Sequence, residues 1–338
     1  MKKIIPLLLL LLVKMVDSYA QPIHIKSHEY EKIFDRTLVV EILEESPKIV
    51  KQMEKVSKKY PNALTEYRSF IDKYNKYMKI ALEKVWTLNK NVVFKNTSEI
   101  KSMIDNKDTT SVCLYYSESG KVFYDYSSHL YLKVPTLNYT RMEHHNRKID
   151  YAVYLPISFL RPDDAYVESD IFFALQMIQI NLDYNNKNEK HLNASAFAHH
   201  QALHNKELSN KVLLLDEVLA QDSATILEIQ KHYPYKFKFV KPAEIVNALV
   251  DADENDAYLI SMPYELPQGD DNFDSAVKCM RLVVDAKNGN IISSIGTHVR
   301  FADENLFLDK DFEVVENTKG SKKTKTKTKI KTKAEARN

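Results

Sequence analysis

VFKNTSEIKSMIDNKDTTSVCLYYS (Val93–Ser117) and KFVKPAEIVNALVDADENDAYLISM (Lys238–Met262) stand 145 residues apart and align over 25 positions without a gap. Five positions are identical: Phe94/Phe239, Glu99/Glu244, Ile100/Ile245, Asp108/Asp253 and Leu114/Leu259. The local physics agrees at the others. In each copy a short strand, Val92–Phe94 or Phe237–Phe239, runs into a helix start. Asn96 is an N-cap with Glu99 at the third helical position, a capping box that satisfies orphan N–H groups. Pro242 falls at the first helical position, where its missing N–H costs nothing, and Glu244 again falls third. Apolar faces follow (Ile100, Met103, Ile104; Ile245, Ala248, Leu249). A polar stretch then leads to a buried strand, Val112–Tyr115 or Ala257–Ile260.

The match extends in both directions. Upstream, Thr37–Val40 and Lys211–Leu215 each read as a strand followed by helical sequence. Downstream, Leu130–Val134 and Tyr151–Leu155 correspond to Val277–Val284 and Ile291–Ile295. Asn288-Gly289, flanked by Arg281–Val284 and Ile291-Ile292, predicts a type I′ hairpin. Each copy reads β-α-β-α-β followed by two antiparallel strands. The fold class is therefore α/β with mixed sheets, in two tandem related units.

The first unit spans 21–185 and carries a helical insertion at 47–90. Within it Leu64, Tyr67, Ile71, Tyr74, Met78, Ala81 and Val85 alternate spacings of three and four, and Phe70, Tyr77, Leu82 and Trp86 widen the stripe. A stripe this wide, with Tyr at two seam positions, packs on its own sheet rather than forming a coiled coil. A second long helix is expected from Ser169 to Leu182, capped by Ser169 or Asp170. Residues 186–210, rich in Asn, Lys and His, read as a polar linker. The second unit spans 211–316.

Both ends of the chain carry charge signals. Lys2-Lys3, the apolar run Ile4–Val13 and Ser18-Tyr19-Ala20 form a signal peptide over 1–20, cleaved after Ala20. The run is shorter than the roughly 20 residues a membrane span needs. The net charge of +2 hides an acidic body and a basic tail. Residues 319–338 carry +8, and residues 21–318 carry 36 basic and 44 acidic groups. The Lys/Thr-rich tail (317–338) has too little apolar surface to repay its ordering and reads as disordered. The plain reading is a solvated tail that aids solubility; read instead as an electrostatic arm, it fits an anionic polymer or surface. Specific nucleic-acid binding is the poorer reading, because no aromatic residue in the tail can stack on a base.

Five glycines in 338 residues, far below the usual share of roughly 7%, leave no glycine-rich phosphate loop or dinucleotide fingerprint. G-x-S-x-G, H-E-x-x-H and C-x-x-C are absent from the sequence. Cys113 falls in the third strand of the first unit and Cys279 in the fourth strand of the second, so they are not duplicated positions. Two Cys in an exported protein invite a disulfide, which would need their Cα atoms within about 7 Å; the favoured reading is two buried small hydrophobes. On a helix His200, His204 and Glu207 would share a face and supply N, N and O to zinc. No fourth ligand follows, and the stretch belongs to the linker. His144-His145 is a similar loop pair. Asp163-Asp164, Asp251/Asp253 and Asp270-Asp271 sit in expected turns, where Asp caps backbone groups. No catalytic, cofactor or metal residue is assigned.

The expectation is an exported, periplasmic or extracellular protein of the bacterial kind, binding or scaffolding without catalysis. The alternative is a hydrolase-type enzyme with its site in the cleft between the units. A junction lined by convergent His, Asp, Glu or Ser would favour the enzyme. One filled with Leu, Ile and Phe would favour the scaffold.

Overall fold

The computed structural model describes residues 32–125, 130–144, 151–154, 168–187, 207–217, 223–265 and 277–300. The chain is mixed α/β with two mixed sheets. Strands β1 (Thr37–Ile42), β2 (Val92–Asn96), β3 (Ser111–Asp125), β4 (Leu130–Arg141) and β5 (Tyr151–Tyr154) form the first, in the order β2-β1-β3-β4-β5. Strands β6 (Val212–Asp216), β7 (Phe237–Val240), β8 (Asp256–Glu265), β9 (Val277–Asp285) and β10 (Ile291–Arg300) form the second, in the order β7-β6-β8-β9-β10. In each sheet the first strand pairs parallel with the second and third, and the last two join antiparallel.

Helices α1 (Pro47–Val56) and α2 (Ala63–Val85) lie between β1 and β2, and α3 (Thr97–Asp105) between β2 and β3. A single helix, α5 (Ser223–His232), lies between β6 and β7, and α6 (Pro242–Val250) between β7 and β8. Helix α4 (Glu168–Lys187) lies in the chain between the two sets of strands.

The registers coincide. Val39 pairs with Val93 and Cys113, and Leu214 pairs with Lys238 and Tyr258. The Asn96 side chain accepts from the Glu99 N–H at 2.9 Å while the Asn96 N–H donates to Glu99 Oε2 at 3.0 Å. The Lys241 N–H donates to Glu244 Oε1 at 3.3 Å. Both helices end on a non-glycine residue in the left-handed region, Lys107 at φ 52° and Ala252 at φ 50°. The Asp108 N–H reaches back to the Met103 carbonyl at 3.1 Å, and the Asp253 N–H to Ala248 at 3.0 Å. Each Asp then turns the chain, its carboxylate accepting at 2.8 Å from the N–H of Thr110 or Asn255.

Right-handed crossovers that run outward to one neighbour and back to the other put their helices on opposite faces of a sheet. In the first sheet the α2 face, with Leu38, Val40, Val112 and Leu114, belongs to the large core, and the α3 face forms a small cluster of Val39, Ile100, Cys113 and Met142. In the second sheet the assignment is reversed. Leu214, Tyr258 and Ile245 of α6 join the large core, while Leu213, Leu215 and Ala257 pack with Ile229 and Tyr233 in a separate cluster. The two sheets therefore meet through opposite faces. Between them lie α2, α6 and the apolar centre of α4 (Ile171, Phe172, Phe173, Leu175, Ile178).

Ile71, Tyr74, Met78, Ala81 and Leu82 of α2 are buried, as the stripe requires, and Tyr74, Met78, Ala81 and Leu82 share the core with Leu38 and Val40. Other expectations need correction. Helix α4 runs from Glu168 to Lys187, past the expected Leu182 and into the linker, and residues 207–210 form a 3-10 turn. Asn288-Gly289 does not make a two-residue turn. The chain from Asp285 to Ile291 closes through the Gly289 N–H on the Asp285 carbonyl at 2.9 Å, and only Gly289 has positive φ, 75°. A Cβ there would lie 2.6 Å from the Gln176 side chain, so the glycine also serves close packing against α4. Leu114 pairs with Tyr139 and Leu259 with Val283, so Tyr139 rather than Leu130–Val134 corresponds to Val283. The β3–β4 pair is longer than the sequence match implied. The 1–20 leader, the tail, Asp163-Asp164, Asp270-Asp271, His145, His200 and His204 lie outside the described residues.

Candidate functional site

The junction between the sheets, where the enzyme alternative places a cleft, is packed with Phe172, Phe173, Ile178, Leu182, Leu249 and Leu282. Polar side chains of α4 are buried as well, among them Gln176 and Asp170, whose charge is felt at the buried Tyr258 hydroxyl. Gln179 of α4 donates to the Val85 carbonyl at 2.7 Å and accepts from the Thr87 N–H at 2.6 Å, fixing the end of α2.

Open α/β sheets bind ligands at the carboxyl ends of their strands, where successive connections leave in opposite directions. In the first sheet that point lies between β1 and β3, and the chemistry-bearing residue there is Glu41, 6% exposed. The strand register makes Asp216, 3% exposed, its counterpart at the end of β6. Glu41 Oε1 accepts from the Thr97 hydroxyl at 2.8 Å and Oε2 from the Tyr116 N–H at 2.9 Å. The carboxyl thus ties the start of α3 and the middle of β3 to β1. Burial raises its pKa, and the two hydrogen bonds pull the other way.

Among the described residues the surroundings of Glu41 are poor in reactive groups. Burial, reinforced by Glu41, pushes the Cys113 thiol far up, so it is no nucleophile at neutral pH. Burial pushes Tyr115 up to about 12, with Cys113 and Glu41 adding to it. The Tyr74 hydroxyl is buried, makes no hydrogen bond among the described residues, and is held protonated by burial and then by Glu41. At the start of α3 the Asn96 side chain is occupied by the Glu99 N–H and by Glu44, at 2.9 and 3.3 Å. The arrangement ties the start of α3 and the middle of β3 to β1.

The opposite edges carry ion pairs. Arg36, just before β1, holds both oxygens of Glu143 at 2.7 and 2.9 Å. Lys211, at the matching place before β6, is 2.9 Å from Asp285 at the end of β9 and donates to the Glu254 carbonyl at 2.9 Å. Each pair links the entry of a first strand to the exit of a fourth.

Of the residues the sequence singled out, Cys113 is a buried free thiol. Asp251 caps α6 and Asp253 makes its turn. Glu207 opens the 3-10 turn, and among the described residues no three His, Cys, Asp or Glu side chains gather as a metal site. Glu41 was missed. Its signal is an acid closing each apolar first strand, Thr37–Ile42 and Val212–Asp216, where alternation alone reads Glu as solvent-facing. Among the described residues no helix is long and apolar enough to cross a membrane. Comparison with protein-family models, curated proteins and solved structures finds no match.

Proposed function

We propose that this chain is an exported, non-catalytic binding or scaffolding protein of the bacterial envelope or exterior, built from two related α/β units. The observation that carries the reading is the apolar filling of the inter-sheet junction. The hydrogen-bonded state of Glu41 and the inert Cys113 thiol add to it. Relatedness of the units is supported by their common strand order and by the paired left-handed residues Lys107 and Ala252, 145 positions apart like the aligned segments. Export rests on the Lys2-Lys3 leader and the cleavage signal at Ala20. The +8 tail supplies an arm for an anionic polymer or surface, working against the repulsion of the acidic body.

The test is direct. Chain secreted from a bacterial host should begin at Gln21, and a secreted product beginning at Met1 would contradict export. The purified product should leave chromogenic ester, phosphomonoester, glycoside and peptide substrates unchanged. Turnover that co-purifies with the folded protein and disappears in Glu41→Ala would overturn the non-catalytic reading.

A further inference from the structure

Strand β2 lies at the edge of the first sheet and presents three successive apolar residues, Val92, Val93 and Phe94, at 37, 39 and 36% exposure. Such an edge is a template for another strand, and folded proteins normally guard it with a charge or a bulge. The corresponding edge of the second sheet is guarded, because Lys238 stands where β2 has Val93 and is exposed. Lys79 lies 5.5 Å from the Phe94 ring on the α2 side and leaves the strand itself open.

The backbone fixes what can pair there. Leu38 N–H donates to the Asn91 carbonyl at 2.8 Å, so Asn91, Val93 and Lys95 turn their polar groups toward β1. By alternation Val92 and Phe94 turn theirs outward. Antiparallel pairing of two copies about a two-fold axis at Val93 sets Val92 opposite Phe94 twice over. It is the register that uses both outward-facing residues of each copy. Val93 then meets Val93 of the second copy, and Lys95 meets Asn91, so no like charges oppose. The ends are complementary as well. Lys90, exposed at the start of the strand, comes opposite Asn96, whose neighbours include the exposed carboxylates Glu44 and Glu99. A parallel arrangement would lack this match. The same two-fold axis at Lys238 would set two lysines against each other.

We propose that the β2 edge is an interface between two copies of this chain, joined by antiparallel β2–β2 pairing about Val93 into one continuous ten-stranded sheet. The contact is isologous and closes at two copies. An extended segment of another protein is the competing occupant, and the test separates the two.

The full chain is purified and its mass in solution measured by light scattering at micromolar to hundred-micromolar concentration, alongside Val93→Lys. Wild type should reach twice the chain mass and Val93→Lys should remain at one, with unchanged circular dichroism, because residue 93 is exposed. Val93→Cys should give a covalent dimer under mild oxidation. Adjacent Cα atoms at a central non-hydrogen-bonded pair, about 4.5 Å apart, fall within disulfide reach. Lys238→Cys should not cross-link. A wild-type chain that stays at single mass with no Val93→Cys cross-link overturns the proposal and leaves the edge to a different partner. A dimer that survives Val93→Lys places the contact elsewhere and overturns it equally.

Discussion

Helices α3 and α6 occupy the same place in their respective sheets, between the second and third strands, yet meet opposite surroundings. Ile100 of α3 packs in a cluster of four buried residues, and the helix shows solvent Glu99, Lys101, Ser102 and Asp105. Ile245, Ala248 and Leu249 of α6 belong to the core that joins the two sheets, and Val246 is buried where α3 has Lys101. The glutamate at the third position of each, the left-handed ends and the Asx turns are nevertheless alike. Backbone chemistry follows local sequence, whereas polarity follows which face of the sheet the neighbouring half covers.

Exchanging the polarity of these two positions gives the largest expected effect. Val246→Lys places an ammonium at a site 8% exposed and should cost about 3 kcal/mol in urea unfolding, in the range for an uncompensated buried charge. Lys101→Val changes an exposed position on the solvent side of α3 and should stay within about 0.5 kcal/mol. Equal costs at both positions would mean that the sheets do not meet through opposite faces.

The same contrast explains what was legible in the sequence. The strand-helix-strand units were readable because caps, polar turns and apolar alternation are local signals. The environment of α4 was not. Asp170, Gln176, Asn181 and Asn185 are buried along with Ile171, Phe172 and Phe173, so α4 is covered nearly all round, and its polar residues mimic a solvent face. Asn181, for instance, donates to the Met177 carbonyl at 2.8 Å within its own helix. Nor could the hairpin at Asn288-Gly289 be read correctly from the dipeptide, since its glycine answers to Gln176, more than a hundred residues away in the chain. Glu41 was hidden for a related reason. A carboxylate at a strand end looks solvated until Thr97 and Tyr116 close over it.

The carboxyl edge of the first sheet sharpens the comparison through pH. Burial holds the Glu41 carboxyl above its ordinary pKa, so the folded chain binds this proton more tightly than the unfolded one. The resulting stability is fully present below the ordinary glutamate value of about 4.3 and is lost as pH rises through the native pKa. Glu41→Gln removes the titration. Its stability relative to wild type should therefore improve from pH 4 to pH 7, whatever its offset at the acid end from the mismatch with the Tyr116 N–H. A difference that stays flat with pH, measured by urea unfolding at four or five pH values, would show that the carboxyl is effectively solvated.

The smallest effect tests the local half of the comparison. Lys107 and Ala252 both sit in the left-handed region, at φ 52° and 50°, where a Cβ crowds the backbone and glycine does not. Both are exposed, so replacing them removes strain without opening a cavity. Relief of that strain, less the entropy glycine adds to the unfolded chain, leaves a gain of about 0.5–1 kcal/mol for Lys107→Gly and again for Ala252→Gly. The gains should match although one helix faces solvent and the other the shared core, because the strain belongs to the φ angle and not to the packing. The double variant should show their sum within about 0.5 kcal/mol, the two sites having no shared partner. Stabilisation at Lys107 with destabilisation at Ala252 would mean that the end of α6 is held by tertiary packing, and that the resemblance between the two helices stops before their last turn.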